Sequence, residues 1–527
     1  MKRSTVAATL AALLGLSSAI PTAEAQKPRT GGTLIYAVTG EAPTYDCHAT
    51  TTYTAVHVFA PHYSLLLKID PDNYPKLKPD VASSWTASPD GTTYTFKLRP
   101  DVLFHDGTKL TSADVKASFD RLRNPPAGVI SIRQAAFEDI AAIETPDVTT
   151  VVFKLKSPDP SFLDTLALPY NCLYSAARLA QDPQFPAKNI MGTGPFVFGE
   201  HVAGSHWTGK RFDGYFEKGK PYLDGFKAVF IKASALTTAL RGGQIQAEFR
   251  SVTPGERNTL QDAMKDKITF QESPWICKVD LLFNTEAKPF DNPNVRRALS
   301  MAIDRWGGSQ TLAKIAILGP VGGPLRPGYE LALTPAELAT LPGFERDAEK
   351  ARTEAKRLLA EAGVADLKIK LVNRNNPQPF TPAGIYLIDQ WRKIGVQTEH
   401  LQLDVAQQKA AILGGQYQAA IDAFCADSDD PKPLLLQYLS KERSTRNMTR
   451  NSNPALDALY DKLKASTGAE QKALLAEMQR KIIMESYSVP ILWYSRLVAH
   501  STAMKGWKVL PTHFANQDLA SVWLDQE

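Results

Sequence analysis

The sequence lacks the motifs that identify most catalytic and nucleotide-binding sites. It has no GxSxG, HExxH or GxxxxGK[ST] motif, and no GxGxxG after a strand. The net charge is only +5, and the basic residues are scattered, which argues against a dedicated nucleic-acid surface. Beyond the N-terminus, no stretch approaches the roughly 18 apolar residues of a membrane-spanning helix. Nothing in these patterns supports an enzyme, and we predict no cofactor.

The composition is that of a globular protein with more than one domain. A chain of 527 residues exceeds the size at which one hydrophobic core stops growing. Hydrophobic residues make up 43% and charged residues 22%, which is ordinary for a soluble protein and argues against disorder or a coiled coil. We therefore expect two or three domains.

The first 25 residues have the pattern of a secretory signal peptide. A basic start at residues 1–3 precedes an apolar run at residues 6–16, and Ala-Glu-Ala at residues 23–25 is a small-x-small cleavage site. Cleavage there leaves Gln26 as the first residue, and no Cys is placed to receive a lipid. We expect a soluble periplasmic protein without a lipid anchor; a disordered N-terminal tail is the alternative.

Cysteine is scarce, and its spacing is informative. The chain contains Cys47, Cys172, Cys277 and Cys425, with no CxxC unit. This spacing argues against a structural zinc site or a thioredoxin-like redox pair. In an exported protein four cysteines favour pairing. Free buried thiols are the alternative.

Two local clusters could be mistaken for functional sites. Cys47, His48, His57 and His62 are metal-ligand types, but a spacing of five places His57 and His62 on different faces of a helix. We therefore predict no metal site. The segment Gly192–Pro195 superficially resembles a phosphate loop. Its proline removes an amide donor, so we interpret it as a structural turn.

Helix and strand patterns alternate along the chain without a fixed repeat, which is typical of α/β layers. The alternation of Tyr94, Phe96 and Leu98 with polar residues predicts a half-buried strand over 93–99. Thr111 or Ser112 is predicted to cap the following helix. Further strands are predicted at 33–38, 149–155, 368–372, 396–401 and 489–493, and helices at 294–303, 347–362, 385–393, 453–463 and 470–484.

Several motifs together resemble the family 5 extracellular solute-binding proteins, the dipeptide- and oligopeptide-binding subunits of ABC importers. The match runs from about residue 31 to the C-terminus, and its most characteristic block begins at Pro79–Trp85. The matching segments are Gly31–Leu34, Pro79–Trp85, Asp90-Gly91, Tyr94–Arg99, Phe104–Thr108, Thr111–Val115, Gly192–Phe196, Asn284 with Val295–Leu299, and Ala351–Gly363.

The resemblance implies a two-lobed periplasmic binding protein fold of the cluster C type. Lobe I would take residues 26–60, 190–273 and 490–527, an extra domain residues 61–189, and lobe II residues 274–489. Two strands near 272–274 and 486–490 would form the hinge. A ligand bound between the lobes would favour the closed state, which would deliver it to a membrane permease. We expect a monomer.

The resemblance also implies ligand contacts. Asp427 matches the aspartate that pairs with the α-ammonium of a bound peptide, and Arg374 matches the arginine that grips its carboxylate. A structural turn for Asp427 and a solvated loop position for Arg374 are the alternatives. Thr51 and Tyr53 correspond to lobe I contacts, and Phe424 would line the pocket.

Relatives of this kind place a disulfide between cysteines resembling Cys277 and Cys425, so Cys47 and Cys172 would pair by default. The cargo implied first is a short peptide. The alternatives are another solute on the same scaffold, such as an opine, a sugar, an antibiotic conjugate or chelated nickel, and, more remotely, an exported hydrolase.

Overall fold

A computed structural model describes residues 27–525, except for 51, 160, 309–311, 314–320, 376–378, 427–429 and 445. The predicted signal peptide and the predicted ligand residues Thr51 and Asp427 lie outside the described residues. In the described part of the chain no helix combines the length and apolar character needed to cross a membrane.

The described strands alternate with helices, as the sequence pattern predicts for α/β layers. The strands are β1 (Thr33–Val38), β2 (Leu67–Ile69), β3 (Leu77–Pro79), β4 (Ala82–Ala87), β5 (Thr93–Leu98), β6 (Ile140–Asp147), β7 (Thr150–Leu155), β8 (Phe196–Val202), β9 (His206–Arg211), β10 (Gly225–Phe230), β11 (Ala247–Glu248), β12 (Ile268–Phe283), β13 (Lys368–Arg374), β14 (Gln397–Leu403), β15 (Ala419–Cys425), β16 (Ser488–Ser501), β17 (Met504–Lys505) and β18 (Trp523–Leu524).

The helices cover the faces of these strands. They are α1 (Tyr53–Phe59), α2 (Ser112–Arg123), α3 (Phe162–Leu166), α4 (Ala176–Gln181), α5 (Phe185–Lys188), α6 (Leu236–Arg241), α7 (Pro254–Met264), α8 (Pro293–Met301), α9 (Pro335–Leu338), α10 (Ala348–Glu361), α11 (Phe380–Arg392), α12 (Val405–Leu413), α13 (Pro431–Leu435), α14 (Pro454–Ala465) and α15 (Gly468–Glu485).

One ten-stranded sheet runs through the molecule in the order β14-β13-β15-β12-β16-β11-β1-β10-β9-β8. Strands β8 to β11 and β1 form one end, which we call the lobe I half. Strands β13 to β15 form the other end, the lobe II half. The antiparallel strands β12 and β16 lie between them and belong to both halves.

The register of β12 and β16 shifts twice near their middle, between Pro274 and Lys278 and again between Val279 and Asp280. Pro274 pairs with Ser495, and the next regular pair is Lys278 with Trp493, so the residues between them form a bulge. We call residues 273–278 with 493–496 the crossing. The segment 272–274 therefore faces Ser495–Leu497, whereas Ser488–Pro490 pairs with Asp280–Leu282 farther into the lobe II half.

Each half of the sheet has its own hydrophobic core. In lobe II, helices α8, α10 and α11 pack on the sheet around Leu281, Leu371 and Trp391, which are fully buried. In lobe I, Tyr36, Trp207 and other buried side chains form a separate cluster. Separate cores on either side of the crossing make the two lobes distinct bodies that share one sheet.

A second sheet, in the order β4-β5-β7-β6, has a hydrophobic core of its own, and we call this sheet with the helices packed on it the inserted domain. Its side chains Phe96 and Phe153 are fully buried and pack against Phe119 of α2. Thr111 and Asp114 form a capping box at the start of α2, as the sequence predicts. The predicted strand over 93–99 is confirmed as β5.

Both pairs of cysteines form disulfides. Cys277 and Cys425 face each other across β12 and β15, with Cα atoms 4.0 Å apart. Cys47, just before α1, is joined to Cys172 of the inserted domain, with Cα atoms 6.1 Å apart. The alternative of free buried thiols is therefore wrong.

The glycines at 192 and 194 are required for close packing. A Cβ atom at Gly192 would lie 2.2 Å from the carbonyl oxygen of His62, and one at Gly194 would lie 2.4 Å from the carbonyl carbon of the same residue. The Gly194 amide donates a hydrogen bond to the His62 carbonyl at 2.9 Å. This segment is a tight structural contact, in agreement with its interpretation as a turn.

Candidate ligand-binding site at the strand crossing

An aromatic wall lines the crossing. Trp275 and Tyr494 meet edge to face, with ring centroids 5.0 Å apart. The indole nitrogen of Trp275 donates to Nδ1 of His513 at 3.1 Å, and the His513 ring lies 5.9 Å from that of Tyr53 on α1. We call Tyr53, His513, Trp275 and Tyr494 the aromatic wall. Rings of this size provide rigid, largely apolar contact area for a ligand.

The histidines of this region are neutral at physiological pH. Burial lowers the pKa of His57 to about 3, and the arginines nearby lower it further. Burial together with Arg496 and Arg250 holds the pKa of His513 well below its usual value. His57 donates its Nε2 proton to the His513 carbonyl at 2.9 Å. The histidines therefore contribute shape and hydrogen bonds to the site rather than charge.

Arg250 lies on the lobe I side of the wall. Its guanidinium carbon is 4.5 Å from the ring centroid of Tyr53, which is a cation–π contact. The residue is exposed, and no carboxylate among the described residues lies within ion-pair distance of it. Arg250 is thus a cation available to a ligand at the crossing.

Arg496 fixes the backbone that carries Arg250. It is fully buried, and its guanidinium donates to the carbonyl oxygens of Arg250, Leu510 and Thr512 at 2.8, 3.0 and 3.1 Å. A further bond reaches the Phe249 carbonyl. Burial lowers the pKa of Arg496 to about 9. Its donors are used internally, so its main role is to hold residues 249–250 in place.

Glu248 is a buried carboxyl group beside these arginines. Its Oε1 accepts from the Arg250 amide at 2.7 Å, whereas Oε2 has no hydrogen-bond partner in the described structure. Burial raises the pKa of Glu248 to about 7, although the neighbouring arginines oppose this rise. At neutral pH the carboxyl group is therefore only partly ionised, and it does not fully balance their charge.

On the lobe II side, Arg374 is anchored by a buried carboxylate. Asp422, on β15, is fully buried and forms ion pairs with Arg374 and with Lys409. Arg374 also lies 4.3 Å from the ring of Phe380 and retains 16% side-chain exposure. Two cations on one carboxylate leave this group with an excess positive charge.

Arg250 and Arg374 act on the same tyrosine, Tyr494, from the two halves of the sheet. Desolvation raises the pKa of Tyr494 to about 12, and both Arg250 and Arg374 act to lower it. A cation lowers the pKa of a phenol only when it is close enough to stabilise the phenolate. Both positive groups are therefore near Tyr494.

A second buried ion pair lies behind the lobe II surface. Lys278 and Asp280, both fully buried on β12, form an ion pair, and Lys278 also donates to the Tyr438 hydroxyl at 2.8 Å. The Lys278 ammonium is 5.5 Å from the ring of Phe424. Burial lowers the pKa of Lys278. Phe424 is half-buried and packs mainly on lobe II side chains.

The structure places the described members of the predicted site on both sides of the crossing. Tyr53 belongs to the aromatic wall, Arg374 is next to Tyr494 but paired with Asp422, and Phe424 contacts Lys278. Sequence reasoning missed Arg250, Trp275, Tyr494 and His513. The sequence carries no local signal for Arg250, because the strand before it has only two residues.

The histidines near Cys47 do not form a metal site. Within the described residues, no group of histidine, cysteine and acidic side chains is arranged to hold a metal ion. His48 contacts the Cys172 carbonyl at 3.0 Å, and His62 contacts the Phe196 carbonyl at 2.7 Å. These contacts are structural.

Comparison with known families matches residues 76–446 to the bacterial extracellular solute-binding proteins, family 5. Among curated proteins, the glutathione-binding protein GsiB of Escherichia coli strain K12 is 29% identical over 489 residues, covering 90% of this chain and 91% of GsiB.

Solved structures share the same fold. The PBP AgaA from A. tumefaciens R10, in complex with agropinic acid, is 26% identical, with a TM-score of 0.78, and the match covers 94% of this chain and 99% of AgaA. The dipeptide-binding protein of Pseudoalteromonas sp. SM9913, in complex with Met-Leu, is 22% identical, with a TM-score of 0.79, covering 94% of this chain and all of that chain at 100%.

Proposed function

Because this chain belongs to the bacterial extracellular solute-binding proteins of family 5, we propose that it captures a short peptide or peptide-like solute between its two lobes. Family members are binding proteins and not enzymes, and they deliver their ligands to the permeases of ABC importers. The glutathione-binding relative and the dipeptide-bound structure support a peptide-like cargo for this chain.

The observation that carries the proposal is Arg374 in lobe II. A buried carboxylate and the Phe380 ring hold its guanidinium in one orientation beside the crossing. A cation held in this way loses little conformational entropy when it binds a carboxylate. We assign Arg374 the role of binding the carboxylate of the cargo.

We propose that Asp427 binds the ammonium group at the other end. The disulfide at Cys425 fixes the end of β15, and the Ala426 amide donates to the Ile276 carbonyl at 2.9 Å. Asp427 is the next residue in the sequence. Thr51, Tyr53 and Phe424 would contribute to the walls of the same site.

The lobe boundaries of the proposal follow the sequence resemblance, with one adjustment. Lobe I would take residues 26–60, 190–273 and 490–527, the inserted domain residues 61–189, and lobe II residues 274–489. We place the second hinge segment at residues 493–496 of β16 rather than at 486–490. Residues 493–496 are the ones that face 273–278 across the two strands. We further propose a periplasmic location, a cleaved signal peptide and a monomeric state.

An opine-like acid is the second candidate cargo. The structure of AgaA in complex with agropinic acid supports this alternative, because AgaA shares both the fold and 26% of its sequence with this chain. Denaturing the freshly purified protein and analysing the released ligand by mass spectrometry distinguishes a peptide from an opine or another solute.

The role of Asp427 is testable with a ligand pair. Replacing Asp427 with Ala should weaken binding of an amine-bearing peptide by roughly 30-fold to several-thousand-fold, or about 2–5 kcal/mol, because it leaves a buried ammonium unpaired. The N-acetylated peptide should bind wild type weakly and be nearly indifferent to the substitution. Calorimetry on the four combinations gives the coupling energy.

Asp430→Ala is the matched control. Asp430 caps α13 through the Lys432 amide at 3.1 Å, so its loss should lower stability without changing the coupling. Equal responses of both peptides to Asp427→Ala would contradict the proposed role of this residue.

A further inference from the structure

We propose that Arg250 forms a second anion-binding position, on lobe I, and that the cargo carries an acidic group in addition to the carboxylate bound by Arg374. The chemical class is a short peptide or peptide-like acid with at least two carboxylates. This inference rests on the proposed function and specifies the cargo of the same cleft.

Arg250 differs from the other cations of the crossing because, among the described residues, its guanidinium has neither a carboxylate within ion-pair distance, as Arg374 and Lys409 have, nor the backbone carbonyl acceptors of Arg496. Arg374 and Lys409 share Asp422, and Arg496 uses its donors on backbone carbonyls. Arg250 contacts only the face of Tyr53 with its guanidinium and is exposed. All its forked donors therefore remain available for the bidentate geometry that arginine forms with carboxylates.

The backbone that carries Arg250 is rigid. Its carbonyl accepts from Arg496 at 2.8 Å and its amide donates to Glu248 at 2.7 Å. Two residues later, the Val252 amide donates to the Leu497 carbonyl of β16 at 2.7 Å. Only the side chain must be ordered when a ligand binds, which keeps the entropic cost of a contact here low.

The charge balance at the crossing also requires an anion. Among the described residues around the crossing, Arg250, Arg374, Lys409 and Arg496 are cationic, and the carboxylate that forms ion pairs there is that of Asp422. Glu248 is partly protonated at neutral pH, and the adjacent histidines are neutral. Asp427 would be neutralised by the ammonium group of the cargo. One carboxylate on the cargo therefore leaves an excess of positive charge.

Closure of the lobes makes this excess costly. Removing water from an unpaired charge is unfavourable, and an ion pair formed in a partly dry cleft offsets part of this desolvation cost. Arg250 follows β11 in the lobe I half and Arg374 ends β13 in the lobe II half, and both influence Tyr494, so an acid with two separated carboxylates would bridge them. Such a cargo favours the closed form over the open form because only the closed form offers both contacts.

The test uses peptides that differ by one charge. Di- and tripeptides are titrated into the ligand-stripped mature chain in matched pairs, such as Ala-Glu with Ala-Gln and Glu-Ala with Gln-Ala. We expect the best-binding Glu peptide to bind about 10- to 100-fold more tightly than its Gln partner, as is usual for a hydrogen bond to a charged group. Arg250→Gln should bring the Glu peptide to the affinity of its Gln partner.

Arg257→Gln is the matched control. Arg257, on α7 of lobe I, is also exposed and also lies over an aromatic ring, 6.0 Å from Phe270, but it is not part of the crossing. The preference for Glu should persist in this variant. Equal affinities of the Glu and Gln peptides for wild type, or a preference that persists in Arg250→Gln, would overturn the inference while leaving the proposed function intact. Failure of every peptide to bind would overturn the proposed function and the inference with it.

Discussion

Single residues near the crossing differ in how their buried charge is compensated. Asp422 is paired with two cations, whereas Glu248 has one oxygen without a partner and a pKa raised to about 7 by burial. A carboxyl group whose pKa is higher in the folded protein than in the unfolded chain destabilises the folded state at pH values where the unfolded chain is ionised. The stability of the protein should therefore depend on pH through Glu248.

The sign of this dependence follows from proton binding. Between about pH 4.5 and pH 7 folded Glu248 retains a proton that the unfolded chain has lost, so its contribution to stability falls as the pH rises. The full loss corresponds to roughly 3 kcal/mol. The free energy of unfolding of Glu248→Gln should lack this fall. The variant should therefore gain stability relative to the wild type between pH 5 and pH 8. Urea unfolding at the two pH values measures the difference.

Glu477→Gln serves as the control for this experiment, because Glu477 is exposed on α15. Its pH dependence should follow that of the wild type. If Glu248→Gln shows the same pH dependence as the wild type, the Glu248 carboxyl ionises normally in the folded protein.

Which residues line the crossing was only partly predictable. Tyr53 and Arg374 were assigned by resemblance to short motifs, and Arg374 also follows the strand predicted at 368–372. Trp275 and His513 come together only through the bulge in β12 and a hydrogen bond between residues 238 positions apart in sequence. Local pattern contains no information about a contact of this range.

At the scale of elements, the prediction succeeded where the hydrophobic period was regular. The strand at 33–38 is confirmed as β1, and the helix predicted at 347–362 as α10. β11 has only two residues, Ala247 and Glu248, and is defined by its neighbours β1 and β16. A strand this short has no period of its own, so tertiary pairing alone specifies it.

The disulfide between β12 and β15 should contribute to both stability and binding. The double substitution Cys277→Ser and Cys425→Ser opens a link across 148 residues, which should cost about 5 kcal/mol in the chain-entropy model. Cargo affinity should fall as well, because Cys425 ends the strand that leads into Asp427. Thermal unfolding and calorimetry measure the two effects.

The other disulfide provides the comparison. Removing Cys47 and Cys172, which are 125 residues apart, should cost a similar stability but leave cargo affinity nearly unchanged. Peptide mapping without reduction identifies both linkages. Unchanged cargo affinity after loss of the Cys277–Cys425 bridge would show that the bridge does not position the site.

At the scale of the whole molecule, the two lobes and the inserted domain contact one another around the crossing. Lys432 of α13 lies 3.8 Å from Asp159 of the inserted domain, beside a cavity of about 240 Å³ between that domain and lobe II. The inserted domain is joined to lobe I by the Cys47–Cys172 bridge. We therefore expect it to move with lobe I when the lobes close.

Solution scattering tests this closure. A compact chain of this length has a radius of gyration of about 24 Å. The ligand-stripped protein should have a larger radius of gyration than the same protein saturated with the cargo identified by mass spectrometry, because closure brings the lobes together. An unchanged scattering profile at saturation would contradict hinge closure.

The discontinuous arrangement of the lobes could not have been derived from periodicity. Hydrophobic patterns predict that strands exist, but not that β16 pairs with β12 along most of its length. That pairing joins residues more than 200 positions apart and depends on the free energy of the assembled sheet. The arrangement was predicted only through the resemblance to a family whose complete folds are known.

The position of β16 between β12 and β11 also determines when the sheet can be completed. Strands β1 and β8 to β11 are synthesised early, yet the strand that joins them to β12 comes from residues 488–501, near the end of the chain. Until those residues emerge, β11 and β12 present open edges to the surroundings. The large sheet of such a chain stays incomplete until its last long strand is synthesised, and its open edges are exposed to aggregation during that time.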